Sequence, residues 1–189
     1  MSQATGTLRP SVRAALLDYE PGRFRYSAWN NISVGVWADQ ATLEAAQRVI
    51  RISKWMAQHH PQGHSNIIFV LDGTPAPTPE ANQVFAQVYD EKFSDLACLG
   101  IVIEGSGFWA SRMRSTITGQ RLSTPGKVRV RVSDDVDSLV DWMLPEHAAR
   151  TGSKFSVQEL RTALAGLREL AANDNGEQPY LSTPPGRRG

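Results

Sequence analysis

A chain of 189 residues with 41% hydrophobic and 21% charged content has ordinary globular composition and enough length to bury a core as one domain with tails. Its formal net charge of +1 gives no long-range pull toward nucleic acid or an anionic membrane. The lone cysteine, Cys98, excludes an internal disulfide, and with no signal-like or membrane-spanning run the chain reads as cytoplasmic.

Residues 1–21 are polar, interrupted by Pro10 and Pro21, and read as a loosely ordered lead in which residues 12–17 could form a helical turn or two. Order is expected to begin at residue 22. Two β-prone runs, RFRYSAW and ISVGVW, flank Asn30-Asn31 and predict a hairpin with a type I′ turn, since asparagine tolerates positive φ. A helical pattern follows Asp39 and runs to His59, with Leu43, Ala46, Val49, Ile50, Ser53, Met56 and Ala57 on one stripe. Ile52 and Trp55 fall off that stripe and either widen the buried face or offer a small partner surface. His59, His60 and His64 cluster at the helix end, but without a nearby acidic or cysteine partner they read as a dipole-favoured polar turn, not a metal site.

NIIFVLD is continuously apolar up to Asp72, as expected of a strand buried on both faces. A proline-rich loop leads to Thr78, an N-cap before Pro79 and Glu80, and the helix it starts is expected to reach Ala97 with Val84, Phe85, Val88, Tyr89, Phe93 and Leu96 inward. The second buried strand, residues 99–103, ends in the turn Glu104-Gly105-Ser106-Gly107 and opens onto a helix. On that helix Trp109, Met113, Thr116 and Ile117 share the inner face, Arg112 flanks it and Arg114 points away. KVRVRV then alternates strictly, predicting an outer strand with valines inward and arginines guarding an edge. Ser133-Asp134 caps a helix that Pro145 should end or kink. A last helix, residues 153–172, opens on a capping box, Ser156 with Glu159, and carries a seam of Leu160, Leu164 and Leu167 that packs on the domain or pairs with another chain. Residues 173–189 have the composition of a disordered tail.

Strands alternating with helices predict an α/β fold: a single mixed, mostly parallel sheet of about five strands with an N-terminal hairpin, helices packed on it, spanning residues 22–148. Ligand sites in open sheets lie beyond the carboxyl ends of strands, here Asp72 and Glu104–Gly107. Gly105-Ser106-Gly107 before a helix, with Arg112 and Arg114 beyond, could bind an anion, although it has neither the P-loop lysine nor the three-glycine dinucleotide pattern. Asp72 and Glu104 could also pair as catalytic carboxylates, but no histidine is placed to complete such a set, which weighs against an enzyme.

The order strand, helix, buried strand ending in Asp72, helix, strand, helix resembles STAS-like domains over residues 23–145. This is the fold of the bacterial anti-sigma-factor antagonists, and is related at fold level to the lipid-binding Sec14 type. The resemblance implies a regulatory or scaffold protein without catalysis or cofactor, acting through a protein partner or self-association. In the antagonists a phosphorylatable serine follows the aspartate. Here Gly73-Thr74-Pro75 stands in its place, leaving Thr74 or Thr78 as the phosphorylation candidates that the resemblance implies. The alternative is a small anionic or lipid-like ligand held among Asp72, Thr74, Glu104, Gly105, Ser106, Gly107, Arg112 and Arg114.

Overall fold

A computed structural model of the protein describes residues 14–87, 95–123 and 128–172, the side chains of 119–123 excepted. Strands β1 (Ala15–Glu20), β2 (Phe24–Trp29), β3 (Ile32–Trp37), β4 (His64–Val70), β5 (Leu96–Ile103) and β6 (Arg129–Ser133) form one sheet in sequence order. The β1–β2 and β2–β3 pairs are antiparallel, and the pairs from β3 to β6 are parallel. Crossovers between the parallel strands carry α1 (Leu43–His59), α2 (Pro79–Ala86) and α3 (Gly107–Ser123); α4 (Val136–Thr151) and α5 (Val157–Ala172) follow β6.

Alternation along the strands sorts the core into two faces. Ile32, Val34, Val36, Ile67, Phe69, Cys98 and Val102 face α4 and α5, where they meet Leu139, Met143, Leu160, Leu164 and Leu167. On the other face Trp37 joins the buried side of α1, while Val70, Leu99, Ile101 and Val130 join Ala110 and Met113 of α3. Two glycines leave room for a neighbouring side chain, Gly35 for Tyr26 across the β2–β3 pair and Gly100 for Leu139 of α4. A Cβ on Gly35 would lie 2.3 Å from Tyr26 Cζ, and one on Gly100 would lie 2.8 Å from a Leu139 methyl.

The sheet has six strands because the lead expected to be loose supplies β1. Its residues are only half-buried, so no apolar alternation announces it. It is held by backbone pairing to β2 and by Arg48 of α1, which binds Asp18, Glu20 Oε2 (3.0 Å) and the Tyr19 carbonyl (3.2 Å). Burial pushes the Asp18 carboxyl up, but the hydrogen bonds from Arg48 and the Tyr19 N–H outweigh it and hold the group low.

Other boundaries differ for local reasons. The hairpin turn places only Asn30 at positive φ (52°), whereas type I′ needs both central residues there. Helix α1 starts one turn later than Asp39, capped by Thr42. The α2 helix ends at Ala86, and Leu96 and Ala97, expected in it, belong with Cys98 to β5; Val88, Tyr89 and Phe93 lie outside the described residues. Asp135 caps α4 through its carboxylate to the N–H groups of Asp137 and Ser138, and the helix runs through Pro145 with Met143 and His147 buried on either side of it. The capping box of α5 forms as expected, Ser156 N–H donating to Glu159 Oε2 at 2.7 Å and Glu159 N–H to Ser156 Oγ at 3.1 Å. Residues 1–13 of the lead and the tail 173–189 lie outside the described residues.

Candidate functional site

The carboxyl ends of β4 and β5 do adjoin. Asp72 is exposed, and its carboxylate lies against Gly105: a Cβ there would sit 2.2 Å from Asp72 Oδ1, and Gly105 has φ of 91°. Both facts demand glycine at 105. Glu104 turns the other way and is held by Arg168 of α5 in a bidentate pair, both N–O distances 2.6 Å. Asp72 and Glu104 therefore do not share a polar pocket. Two carboxylates beside the turn also weigh against an anion at the start of α3. Ser106 and Gly107 are exposed there.

The arginines of α3 sit opposite to the expected order. Arg112 is exposed, whereas Arg114 is half-buried and reaches Asp134 at 3.9 Å. Thr74 is 4% exposed, its hydroxyl donating to the Trp37 carbonyl (3.2 Å) and its own carbonyl accepting from Trp109 Nε1 (3.1 Å). A kinase could not reach that hydroxyl without unfolding the loop. Thr78 is spent as the N-cap of α2, accepting from Ala81 N–H at 3.2 Å.

The partner-surface candidates divide in the same way. Ile52 is 7% exposed in the α1 core, and Leu160, Leu164 and Leu167 are buried against the sheet, so the α5 seam is satisfied within the chain. Trp55 is 38% exposed and stacks on His59 at 3.9 Å between ring centroids. Phe108, not among the partner-surface candidates read from the sequence, is the most exposed of the large apolar side chains among the described residues, at 83%.

What the face under α1, α2 and α3 does contain is a cavity of about 100 Å³. Trp37, Val70, Leu99 and Ile101 of the sheet line it, with Phe85 of α2, Met113 and Ile117 of α3, and Thr74, Pro75 and Pro77 of the loop. It lies beside the expected strand-end site and shares Thr74 with it, but Asp72, Glu104 and Arg112 are not in its wall. One polar side chain of the sheet enters it, Asn66 of β4. Asn66 stands at the end of the polar start of β4, His64-Ser65-Asn66, just before its apolar run, and that position was the available sequence signal.

The opposite face holds a second polar constellation, buried except at its Ser153 end. Asn31 Nδ2 donates to the Gly63 carbonyl and to Ser153 Oγ, both at 3.1 Å, which leaves Asn31 Oδ1 to accept from His147 Nε2 at 3.2 Å. That sets the tautomer: His147 Nδ1 accepts from Ser65 Oγ (2.8 Å), and Ser65 Oγ accepts the Cys98 S–H (3.2 Å). The order of groups is that of nucleophile, base and orienting amide, yet Ser65 and Cys98 are 0% exposed and His147 1%. No substrate reaches them. Burial pushes the Cys98 thiol up to about 11 and the His147 imidazole down to about 4, so the thiol stays protonated and the ring neutral.

Among the described residues no group of three or more histidine, cysteine, aspartate or glutamate side chains is arranged to hold a metal ion. No helix among them is long and apolar enough to cross a membrane. No protein-family model matches the chain, and no curated protein sequence matches it significantly.

Proposed function

We propose that this chain is a non-catalytic regulatory domain of STAS-like architecture that binds a small, mainly apolar ligand in the cavity between the sheet and α1, α2 and α3. The cavity carries the reading: it is preformed, lined mostly by apolar side chains, and beside the carboxyl ends of parallel strands, where open α/β sheets hold ligands. An anionic ligand is disfavoured because, among the described residues, no arginine or lysine lines the cavity, while Asp39 does. Catalysis is disfavoured by the dispersal of Asp72 and Glu104 and by the enclosure of Ser65 and His147.

The test is a titration of the full chain with toluene, followed by amide chemical shifts and thermal unfolding. Shifts should concentrate at Trp37, Thr74 and Met113, and a ligand at a hundred times its dissociation constant adds about 2.7 kcal/mol of stability. Filling the space with Ala41→Leu, at a buried wall position, should remove the shifts without loss of fold. Unchanged spectra up to the solubility of toluene would refute the reading.

Phe108 supports a second reading, output through contact with a protein surface. A ring 83% exposed at the start of α3 is an anchor of the kind found at interface centres. If the contact is with a second copy of the chain, sedimentation should show concentration-dependent dimers that Phe108→Ser removes. A monomer at every concentration excludes that form of it.

A further inference from the structure

The two edges of the sheet are not alike. β1 pairs with β2 through a register shift between Leu16 and Asp18, and its Asp18 and Glu20 carboxylates are taken up by Arg48 of α1. An irregular edge of this kind resists pairing with a further strand. β6 is regular. It pairs with β5 in unbroken register from Arg129 to Ser133, and among the described residues no strand lies on its outer side. An outermost strand presents a row of backbone N–H and C=O groups without a partner strand.

A groove follows that edge. It is lined by Arg129, Val130, Arg131 and Val132, with Thr118 of α3 and Trp142 of α4 beside them. Val130 and Val132 lie on the face under α3. Arg129 turns to the other face, where it reaches Glu146 of α4 at 2.5 Å, and Arg131, two residues on, shares that face. Since residues of both faces line the groove, it straddles the strand and opens on its backbone edge. Arg129 is committed to Glu146, whereas Arg131 is exposed and makes no hydrogen bond or ion pair among the described residues. Among those residues no carboxylate lines the groove.

We propose that the outer edge of β6 takes up an extended segment of a partner protein as a seventh strand, and that this segment alternates acidic and apolar side chains. Backbone pairing supplies the affinity in such strand addition, and alternate side chains supply the choice of sequence. Directly opposed residues of paired strands share a face. A carboxylate of the partner on the α4 side therefore meets Arg131, and an apolar side chain on the α3 side lies beside Val130 or Val132. A second copy of the chain fits less well. Full antiparallel overlap of β6 with β6 sets Arg131 against Arg131, and the β1 edge is bulged with its carboxylates already occupied. The arginines that guard the edge against self-pairing thus select an acidic strand. The groove shares no lining residue with the cavity, so the two sites are separate.

The experiment titrates the full chain with three end-capped peptides, VEVEVE, VVVEEE and VKVKVK, and reads amide chemical shifts and amide exchange. VEVEVE should bind at least tenfold more tightly than either of the others, with shifts at residues 129–133 and exchange slowed at least tenfold at alternate amides of β6. Arg131→Glu, a change at an exposed side chain, should reverse the order, so that VKVKVK binds more tightly than VEVEVE. Equal binding of VEVEVE and VVVEEE, or binding that leaves exchange in β6 unchanged, means attraction by surface charge alone and overturns the proposal. Binding of none of the peptides overturns it as well. Concentration-dependent dimers in which the β6 amides become protected assign the edge to a second copy and also overturn it.

Discussion

Two buried histidines make the stability of this fold depend on pH over a window that its carboxylates do not share. His64 is 2% exposed at the start of β4, with no hydrogen-bond partner for either ring nitrogen among the described residues, and His147 is enclosed with Ser65 and Asn31. Burial holds each at about 4; for His64, Asp95 opposes the shift while His60 and His147 add to it. The unfolded chain takes up these protons near pH 6.5 and the folded chain only near pH 4. Stability is therefore fully present above pH 6.5 and is lost as the pH falls through this interval. Each histidine removes about 2 kcal/mol between about pH 8 and pH 5, and about 3 kcal/mol once the pH is below both values. Together they remove about 4 kcal/mol by pH 5, a large part of the 5–15 kcal/mol typical of a domain. Asp18, by contrast, is held below its usual range, so its contribution is present above about pH 4 and is lost below it.

The assay is urea unfolding followed by circular dichroism from about pH 8 to pH 5, for the wild type and His147→Gln. Near pH 5 the wild-type slope should approach two protons, or about 2.7 kcal/mol per pH unit, and the variant about half of that. The variant is less stable at neutral pH, because Ser65 and Asn31 lose their common partner, but the change of slope is separate from that loss. A flat profile between pH 7 and pH 5, or a slope untouched by the substitution, would show that these rings are not held neutral by the fold.

Arg48→Ala should cost about 1–3 kcal/mol and speed amide exchange across residues 15–20, and Arg48→Lys should restore little because lysine cannot make the forked contact; normal exchange in β1 would refute the anchoring role. Gly35→Ala should cost about 1–3 kcal/mol or more and disturb the fluorescence of Trp37, since Tyr26 must leave its place across the strand; an unperturbed variant would contradict the contact. Glu104→Gln should cost about 1 kcal/mol or less, because the pair with Arg168 is partly exposed, and should leave toluene affinity unchanged. Trp109→Phe removes the hydrogen bond to the Thr74 carbonyl and should raise the on- and off-rates of toluene together by a few-fold; rates equal to wild type would mean that the loop does not gate entry.

The order of β2 to β6 was legible because buried strands announce themselves as apolar runs, and the edge strand β6 because its arginines and valines alternate. The same rule hid two boundaries. Leu96 and Ala97 are apolar in a way that suits a buried helix or a buried strand equally, so the pattern of α2 runs on into the start of β5. β1 contains Asp18 and Glu20, and its stabilisation comes from Arg48, 28 residues or more away. Ile52 left the α1 stripe only on the assumption of a narrow buried face; α1 packs on both the sheet and α2, so the face is wider. The site divides similarly. The glycines of the Glu104 turn are visible as a motif, whereas the residue that occupies Glu104 lies 64 positions later in α5. Nothing local to either residue predicts that pairing.

The cavity has a floor and a roof of different character, and that difference is what makes it suited to taking up a ligand. Its floor is sheet: Trp37, Asn66, Ile68 and Leu99 sit on paired central strands, and Tyr26 is wedged across Gly35 beneath them. Such positions open only with the domain as a whole. The roof is the loop of Thr74, Pro75 and Pro77 with α2 and α3, and the loop is held by Thr74 Oγ1 to the Trp37 carbonyl, Trp109 Nε1 to the Thr74 carbonyl and Gln40 Nε2 to the Ala76 carbonyl at 2.9 Å. The prolines limit what the loop can do when those contacts part, because each fixes its own φ and restrains the residue before it. The prolines thus stiffen a cover that the Thr74 hydroxyl and the Thr78 N–H also tie to the Trp37 and Ala41 carbonyls. A stiff cover over a floor of paired strands keeps the cavity in shape before a ligand arrives, which lowers the ordering cost of binding.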